Sequence, residues 1–415
     1  MNSPTAVFAP SAAIPATRSP ASIPMSDQTA TGEATARRII TLGNRLGRLW
    51  RWLSRTVATS FNLASLIALL AVAAAVPVIQ LVTLGYTVGV AGRIASGQSV
   101  LSSMPGLRQA GRVGLAAIVV FVFALPTKML VHWASVAGLL GSPPTTVFLL
   151  HLASWLAAGV TLVYLCWAWI RGGRLVDYLW PAPVRFVKSA WHPSTWSTAA
   201  DRLWRLTGSF DAMGHLWLGI QTFVGTLIWL IPAMLIIAAN RNGKTGLAGL
   251  IGVLSLLALG LAMFYLPMLQ VQFARERRFR ALFDVKAVRL AFRRSPWAYT
   301  AAMLVSLVLA PIPLYLLKIE ATPREVVWLP CVVFVTFMLP ARVCAGLAMR
   351  RARRFTEVRR GFWPTTSRVL ARLSMVPIVG LYLLFVYLSQ YTSWDGLQTW
   401  IQQHAILVPY PFLGV

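Results

Sequence analysis

The residues that most often carry acid–base chemistry, aspartate and glutamate, are scarce in this chain. Only 11 of its 415 residues are Asp or Glu, and none of them lies in the middle of an apolar segment that could cross a membrane. An ionised group deep in a bilayer is costly, so pumps and transporters keep one only where it works. The distribution therefore argues against a carboxylate-coupled transporter and against hydrolysis by paired carboxylates.

The histidines and cysteines are not spaced as metal ligands or as a catalytic pair. No two of the five histidines stand four residues apart, and the three cysteines form no Cys-x-x-Cys pair, although such spacings are typical of zinc and redox sites. The chain also lacks a Gly-x-Ser-x-Gly turn and a Gly-x-x-x-x-Gly-Lys-Ser/Thr loop. We therefore predict that the protein is not an enzyme and has no catalytic residue, no metal and no cofactor.

Basic residues are the chemically distinctive feature of the chain. Its 38 Lys and Arg give it a formal net charge of +27. They gather in blocks between apolar runs, whereas connections such as 240–245 hold only one or two. The main blocks are 37–55, 171–205, 275–294 and 350–372. This alternation is the positive-inside pattern of cytoplasmic loops, and because it accounts for the charge we expect no nucleic-acid partner.

Three basic stretches, 37–56, 202–217 and 279–297, carry apolar residues on one side of a helix and basic residues on the other. Such helices lie at a membrane surface, where each Lys or Arg contributes on the order of 1 kcal/mol to binding an anionic bilayer. We predict contact with anionic phospholipid headgroups, or docking of a protein partner at the cytoplasmic face. The alternative is that these basic residues only set the topology of the chain. For 37–56, a second alternative is a helix that packs its apolar side in a soluble core. The predicted contact residues are Arg45, Arg48, Arg51, Arg55, Lys286, Arg289, Arg293 and Arg294.

Apolar segments must position these basic groups. The chain is 57% hydrophobic and 12% charged, with a mean hydropathy of +0.66, which excludes a water-soluble domain and, for most of the chain, disorder. Seven segments have about the 20 residues that a span needs. They are 113–132, 147–169, 217–239, 247–272, 298–317, 326–348 and 373–391. We therefore predict an all-α polytopic transmembrane helical bundle with seven full spans.

The predicted organisation has four parts. They are a disordered N-terminal tail at 1–36, a basic interfacial helix at 37–56, a transmembrane helical domain at 57–391 and an external interfacial C-terminal end at 392–415. The charge pattern places the N-terminus in the cytoplasm and the C-terminus outside.

One apolar stretch, 57–92, is too long for one span and too short for two. A single crossing would place the arginines of 37–55 outside, against the charge pattern. Pro77 stands near its middle, where a helix can break. We predict a broken or re-entrant segment, with a single long tilted span as the alternative. Gly85, Gly89 and Gly92 lie on one side of its second half, which suits close helix packing.

Prolines inside the apolar segments are candidate hinges. They are Pro77, Pro232, Pro267, Pro311 and Pro340. The last four fall in two similar units, each with two proline-containing spans followed by a basic block, so the units form a parallel repeat or have converged on the same pattern. Moving hinges would suit a permease for a small or amphipathic solute. That function is the alternative to a non-enzymatic protein that organises anionic lipid or docks a partner.

One arginine, Arg342, stands two residues after Pro340, inside a predicted span. It could extend to the cytoplasmic end of its span, pair with a helix-end carbonyl, or contact an anionic ligand. The sequence leaves these three roles open.

Four stretches resemble a known group of proteins. They are GYTVGVAGRIASG, LFDVKAVRLAFRRSPWAYTAAML, ARVCAGLAMRRARR and SQYTSWDGLQTWIQQHAILVPYPFLG. Together they are similar to uncharacterised bacterial multi-pass inner-membrane proteins of a domain-of-unknown-function family. The resemblance implies a helical integral protein of the bacterial cytoplasmic membrane, and it implies no catalytic residue.

Overall fold

The computed structural model describes residues 27–76, 78–180, 182–189, 191–240, 247–313, 328–358 and 360–392. Regular structure in these residues is helical. The helices are α1 Asp27–Ala75, α2 Gln80–Ala95, α3 Leu107–Leu139, α4 Pro144–Arg171, α5 Leu175–Leu179, α6 Pro183–Ser189, α7 Pro193–Gly208, α8 Ala212–Asn240, α9 Leu247–Glu276, α10 Val285–Arg294, α11 Pro296–Leu304, α12 Trp328–Arg354 and α13 Phe362–Thr392. A 3-10 turn covers Phe279–Phe283 and a π-helical turn covers Val305–Leu309. The chain divides into two compact units, 1–59 and 60–415, and the boundary lies within α1.

Seven helical stretches of the described chain are long and apolar enough to cross a membrane. They are Gly47–Ala75, Leu107–Leu139, Pro144–Arg171, Pro193–Ala233, Val253–Glu276, Leu329–Arg354 and Phe362–Phe385. The predicted all-α, multi-pass architecture is therefore confirmed.

This set of stretches differs from the predicted spans at three places, one of which is the early start of Pro193–Ala233, which takes in α7 as well as α8. Gly47–Ala75 qualifies because α1 runs without a break from the basic segment into the apolar one. The predicted span 298–317 begins as a shorter apolar helix, Pro296–Leu309, and its residues after 313 lie outside the described part of the chain.

The two predicted ends of the chain are described only in part. Helix α1 already begins at Asp27, inside the predicted tail 1–36, where Gln, Glu, Ala and Arg favour a helix. The predicted C-terminal end at 392–415 lies outside the described residues after Thr392.

The apolar stretch 57–92 contains the break that the sequence predicts. Helix α1 ends at Ala75 and α2 begins at Gln80, while Pro77 itself is outside the described residues. The Thr83 hydroxyl donates a hydrogen bond to the Leu70 carbonyl oxygen at 2.9 Å. In a straight helix these two residues would be about 20 Å apart, so the chain turns back on itself. A single long tilted span is therefore excluded.

Helix α2 packs against the backbones of its neighbours. A Cβ added at Gly85 would lie 1.8 Å from the carbonyl oxygen of His215 in α8. One added at Gly92 would lie 2.6 Å from the backbone of Ala274 in α9, whereas at Gly89 the nearest atom is a Leu218 methyl group at 3.4 Å. Two of the three predicted glycines thus stand where only glycine lets the helices come so close.

Four connections of unit 60–415 meet at one end of its helices, which we call the basic end. Arg350 donates to the Gln98 carbonyl oxygen and Arg353 to that of Ala95, at 3.1 and 3.2 Å. These bonds join the end of α12 to the end of α2. The contact of Gly92 with Ala274 brings in the end of α9, and that of Gly106 with Phe210 brings in the connection before α8. At the opposite end, the described connections 76–79 and 140–143 carry no charged residue.

The apolar core and the exposed apolar surface lie in different helices. The core gathers buried side chains from the C-terminal half of α1 and from α2, α8, α9, α11, α12 and α13. Helices α3 and α4 contribute little to it: 6% of the apolar window of each is buried, against 56% for α9 and for α12. Large side chains such as Phe121 and Trp155 are exposed there, so the α3–α4 hairpin is the most lipid-accessible surface among these four helices.

Candidate anion-binding cleft

A glycine turn at the end of α4 brings several arginines together. Helix α4 ends at Arg171, and Gly172 and Gly173 follow with φ of 155° and 64°, values that glycine adopts without strain. The chain then reverses, and Asp177 Oδ2 accepts a hydrogen bond from the Arg174 backbone N–H at 3.0 Å. Arg171 also donates to the Asp177 carbonyl oxygen. The turn therefore holds Arg171 and Arg174 on the same small loop.

Helix α7 returns to this loop and adds further cations. Arg202 donates to the carbonyl oxygen of Ile170, one of the last carbonyls of α4, which have no amide partner within the helix. Arg205 follows three residues later on the same side of α7. Arg112, in the second turn of α3, lies beside the same space.

These elements enclose a cleft of about 500 Å³ at the basic end of the bundle. Its lining residues are Gln109, Arg112, Trp169, Arg171, Gly172, Arg174, Asp177, Arg202, Arg205 and Leu206. We call it the arginine cleft. Its volume is within the range of sites that hold small molecules.

The arginine cleft has a strong excess of positive charge. Its lining includes five arginines but one carboxylate, that of Asp177. Among the described residues, the recorded ion pair is Arg275–Glu276, elsewhere in the structure. The Nε atom of Arg171 is buried without a hydrogen-bond partner. Guanidinium groups bind phosphate and carboxylate through paired N–H donors, so the cleft can hold an anion.

Two neighbouring groups do not offset this charge. Burial raises the pKa of the Tyr178 phenol, and the carboxylate of Asp177 adds to the rise, so this side chain stays neutral at physiological pH. The Arg171 guanidinium lies 5.9 Å from the ring centroid of Trp167, in a cation–π contact that leaves its charge in place.

The basic residues predicted in 279–294 lie on an exposed helix. Asp284 caps α10 by accepting a hydrogen bond from the Ala287 N–H at 2.9 Å. The apolar side of α10 is buried, whereas Lys286, Arg289 and Arg293 are exposed. Arg289 bonds to the Tyr265 hydroxyl at 3.3 Å, and Arg294 donates to the Thr356 carbonyl oxygen at 2.7 Å. These four residues do not line the arginine cleft.

The basic residues predicted in 37–56 belong to unit 1–59. Arg48, Arg51 and Arg55 are exposed on α1, together with large apolar side chains such as that of Trp50. The side chain of Arg45 lies outside the described residues.

The predicted hinges differ in how they disturb their helices. Helices α8, α9 and α12 continue through Pro232, Pro267 and Pro340. In contrast, α11 passes into a π-helical turn that ends at Leu309, just before Pro311, so this proline marks a real change of helix geometry.

Arg342 lies inside the bundle instead of extending to its end. It is 4% exposed, and its Nη1 donates to Gln270 Oε1 at 2.6 Å. Gln270 in turn donates to the Thr226 hydroxyl at 2.8 Å. The Nη2 atom of Arg342 is buried without a partner. Since its hydrogen-bond partner is a neutral amide, the charge is not compensated by this contact.

The arginines of the cleft were not among the predicted contact residues. Four of them belong to the basic block 171–205, whereas Arg112 lies outside the four main blocks, and only Arg202 and Arg205 lie in a predicted interfacial stretch. The available signal is the sequence Arg171-Gly172-Gly173-Arg174, because two glycines between arginines indicate a tight reversal. Within the described residues, no group of three or more His, Cys, Asp or Glu could hold a metal ion.

One family matches part of the chain. Residues 208–319 are similar to the family described as protein of unknown function (DUF4013). The matched segment begins just before α8 and extends beyond α11, so it includes neither Arg112 nor the arginines at 171–205. No curated protein and no solved structure matches the chain.

Proposed function

We propose that this protein is a non-enzymatic component of the bacterial cytoplasmic membrane that binds anionic phospholipid headgroups in the arginine cleft. The observation that carries the proposal is the set of five arginines around one cleft that contains a single carboxylate. Like charges held so close repel one another, and a bound phosphate relieves this repulsion.

The position of the cleft favours a lipid as the source of the phosphate. It opens where the apolar helix α4 ends, with Trp169 in its wall, and tryptophan is enriched at the level of the headgroups. The exposed apolar surface of α3 and α4 continues from the same end. A lipid can therefore place its headgroup in the cleft and its acyl chains along these two helices.

The proposed orientation follows from the basic end. Arginine-rich connections are retained in the cytoplasm, so the cleft faces the cytoplasmic leaflet, the N-terminus is cytoplasmic and the C-terminus is external. The exposed residues of α10, and those of 37–56, then attract anionic headgroups without selecting one. Docking of a cytoplasmic protein remains the alternative for these exposed surfaces.

The test compares two pairs of substitutions in the full chain, in discs of phosphatidylcholine that hold a small fraction of phosphatidylglycerol. Arg202→Gln with Arg205→Gln removes two guanidinium–phosphate contacts, and we expect affinity for phosphatidylglycerol to fall about 30-fold, at about 1 kcal/mol for each lost hydrogen-bonded contact. Lys286→Gln with Arg293→Gln removes two exposed cations of α10, and this pair should change the affinity for phosphatidylglycerol less than threefold. Equal losses for the two pairs would reject a specific site.

A competition arm separates the two sources of phosphate. Inorganic phosphate at millimolar concentration should leave the lipid bound, because it has no acyl chains to place on α3 and α4. Displacement of the lipid at that concentration would instead identify a site for a soluble anion.

A second candidate function, a permease for a small anionic or amphipathic solute, is favoured by Arg342. An unpaired guanidinium nitrogen inside a membrane bundle is costly and is kept where it has a use. Its partner Gln270 follows Pro267 by three residues and Arg342 follows Pro340 by two, so the contact joins two proline-containing helices. Flux of an organic anion into proteoliposomes, lost in Arg342→Gln, would establish this function, and absence of any flux would reject it.

A further inference from the structure

Two clefts, and not one, open beside the C-terminal end of α4. The second has a volume of about 440 Å³. It shares Arg171, Asp177 and Arg202 with the arginine cleft. The shared side chains form a common wall, so the two spaces lie next to each other.

Each cleft also has basic residues of its own. The arginine cleft adds Arg112, Arg174 and Arg205, whereas the second cleft adds Arg185. A phosphodiester carries one negative charge and is bound well by two or three guanidinium groups. Each space can therefore hold one phosphodiester, with Arg171 and Arg202 placed to contact both.

The remaining polar groups suit a polyol and not a third anion. The second cleft is lined by four hydroxyl side chains, those of Ser189, Ser194, Thr195 and Thr198. Asp177 lines both clefts, and its Oδ2 accepts a hydrogen bond from the Arg174 N–H. A carboxylate has several acceptor positions, so Asp177 can also accept a hydrogen bond from a ligand hydroxyl.

We propose that the paired clefts bind one phospholipid in which two phosphodiesters are joined by a glycerol, a diphosphatidylglycerol. One phosphate occupies each cleft, and the hydroxyl of the linking glycerol donates to Asp177. Four acyl chains need a wide apolar surface, and the α3–α4 hairpin provides one. The inference rests on the proposed function, since it names the lipid class for the same site.

The experiment measures binding of two lipids to the full chain in detergent by native mass spectrometry. The probes are tetraoleoyl-diphosphatidylglycerol and dioleoyl-phosphatidylglycerol. The wild-type protein should bind the first at least tenfold more tightly. Arg185→Gln and Arg205→Gln, one in each cleft, should each weaken binding of the two-phosphate lipid about fivefold. A lipid with one phosphate can lose affinity in only one of these two variants, and Lys286→Gln should change neither lipid.

The outcomes separate the inference from the proposed function. If Arg185→Gln leaves the two-phosphate lipid unchanged while Arg205→Gln weakens both lipids, the inference is overturned and the single-headgroup site stands. If neither substitution affects either lipid, both are overturned. Arg185→Lys and Arg205→Lys retain the charge and should keep most of the affinity, which distinguishes loss of a phosphate contact from misfolding. A wild-type protein without preference between the two lipids also overturns the inference.

Discussion

The basic end of the molecule contains arginines of two kinds. Arg350 and Arg353 donate to the carbonyl oxygens of Gln98, just after α2, and Ala95, its last residue, so they hold two helix ends together. The arginines of the cleft line an open space of about 500 Å³. Arg171 and Arg202 of the cleft also donate to backbone carbonyl oxygens, but they still line open space. The same residue type therefore closes a helix contact at Arg350 and Arg353 and faces a space that a ligand can enter in the cleft. Variants of the two regions should accordingly separate stability from binding.

The largest effect is expected in the packed region, at Gly85. In Gly85→Ala the new Cβ would lie 1.8 Å from the His215 carbonyl oxygen, so α2 and α8 must move apart. We expect a loss of about 3 kcal/mol or more in the free energy of unfolding, measured by denaturant unfolding in detergent.

Gly89→Ala is the matched control for this variant. Its Cβ would lie 3.4 Å from a Leu218 methyl group and 3.6 Å from the Arg93 guanidinium, which are ordinary contacts, so stability should change by less than about 1 kcal/mol. Similar losses at both positions would show that the close backbone contact does not determine packing here.

An intermediate effect is expected in the open region, at Gly173. Its φ of 64° is left-handed, and a Cβ there would lie 3.3 Å from the Trp169 ring. Gly173→Val should therefore strain the turn by about 1–2 kcal/mol and move Arg171 away from Arg174. Lipid affinity, measured by native mass spectrometry, should fall about tenfold.

Gly361→Val tests whether this effect belongs to the cleft. Gly361 also has a positive φ, 130°, but it precedes α13 in another basic connection and lines neither cleft. The substitution should lower stability without changing lipid affinity. A fall in affinity as large as that of Gly173→Val would contradict a local role of the glycine turn.

The smallest effect is expected at Arg353. Arg353→Met keeps most of the aliphatic stem but removes the hydrogen bond to the Ala95 carbonyl oxygen, at a cost of about 1 kcal/mol in the free energy of unfolding. Lipid affinity should stay within twofold of the wild-type value. If affinity falls while stability is unchanged, the division between the two kinds of arginine is wrong.

The sequence predicts the helices better than it predicts the cleft. Apolar length and charge alternation are properties of short segments, which is why the multi-pass architecture and the break near Pro77 could be inferred. Gly47–Ala75 includes residues that the sequence assigns to an interfacial helix, because α1 continues from the basic residues into the apolar ones without a break.

The cleft depends on contacts between distant parts of the chain. Arg202 reaches the carbonyl of Ile170 across 32 residues, and no periodicity indicates where α7 returns. Arg342 shows the same difficulty, since its burial depends on Gln270, 72 residues away. A pattern in one segment cannot show which neighbour will cover it.

The position of α2 has a consequence for synthesis of the protein. The helix is 16 residues long, shorter than a span, and its glycines contact His215, Gly219 and Ala274. Gly346 also approaches the backbone of Ala91. The ribosome makes these partners at least 120 residues after the end of α2, so during translation the helix is present before the surfaces of α8, α9 and α12 that cover it. Final assembly of the bundle must therefore be a late event that follows insertion. A nascent chain released before residue 346 cannot form the complete packing around α2.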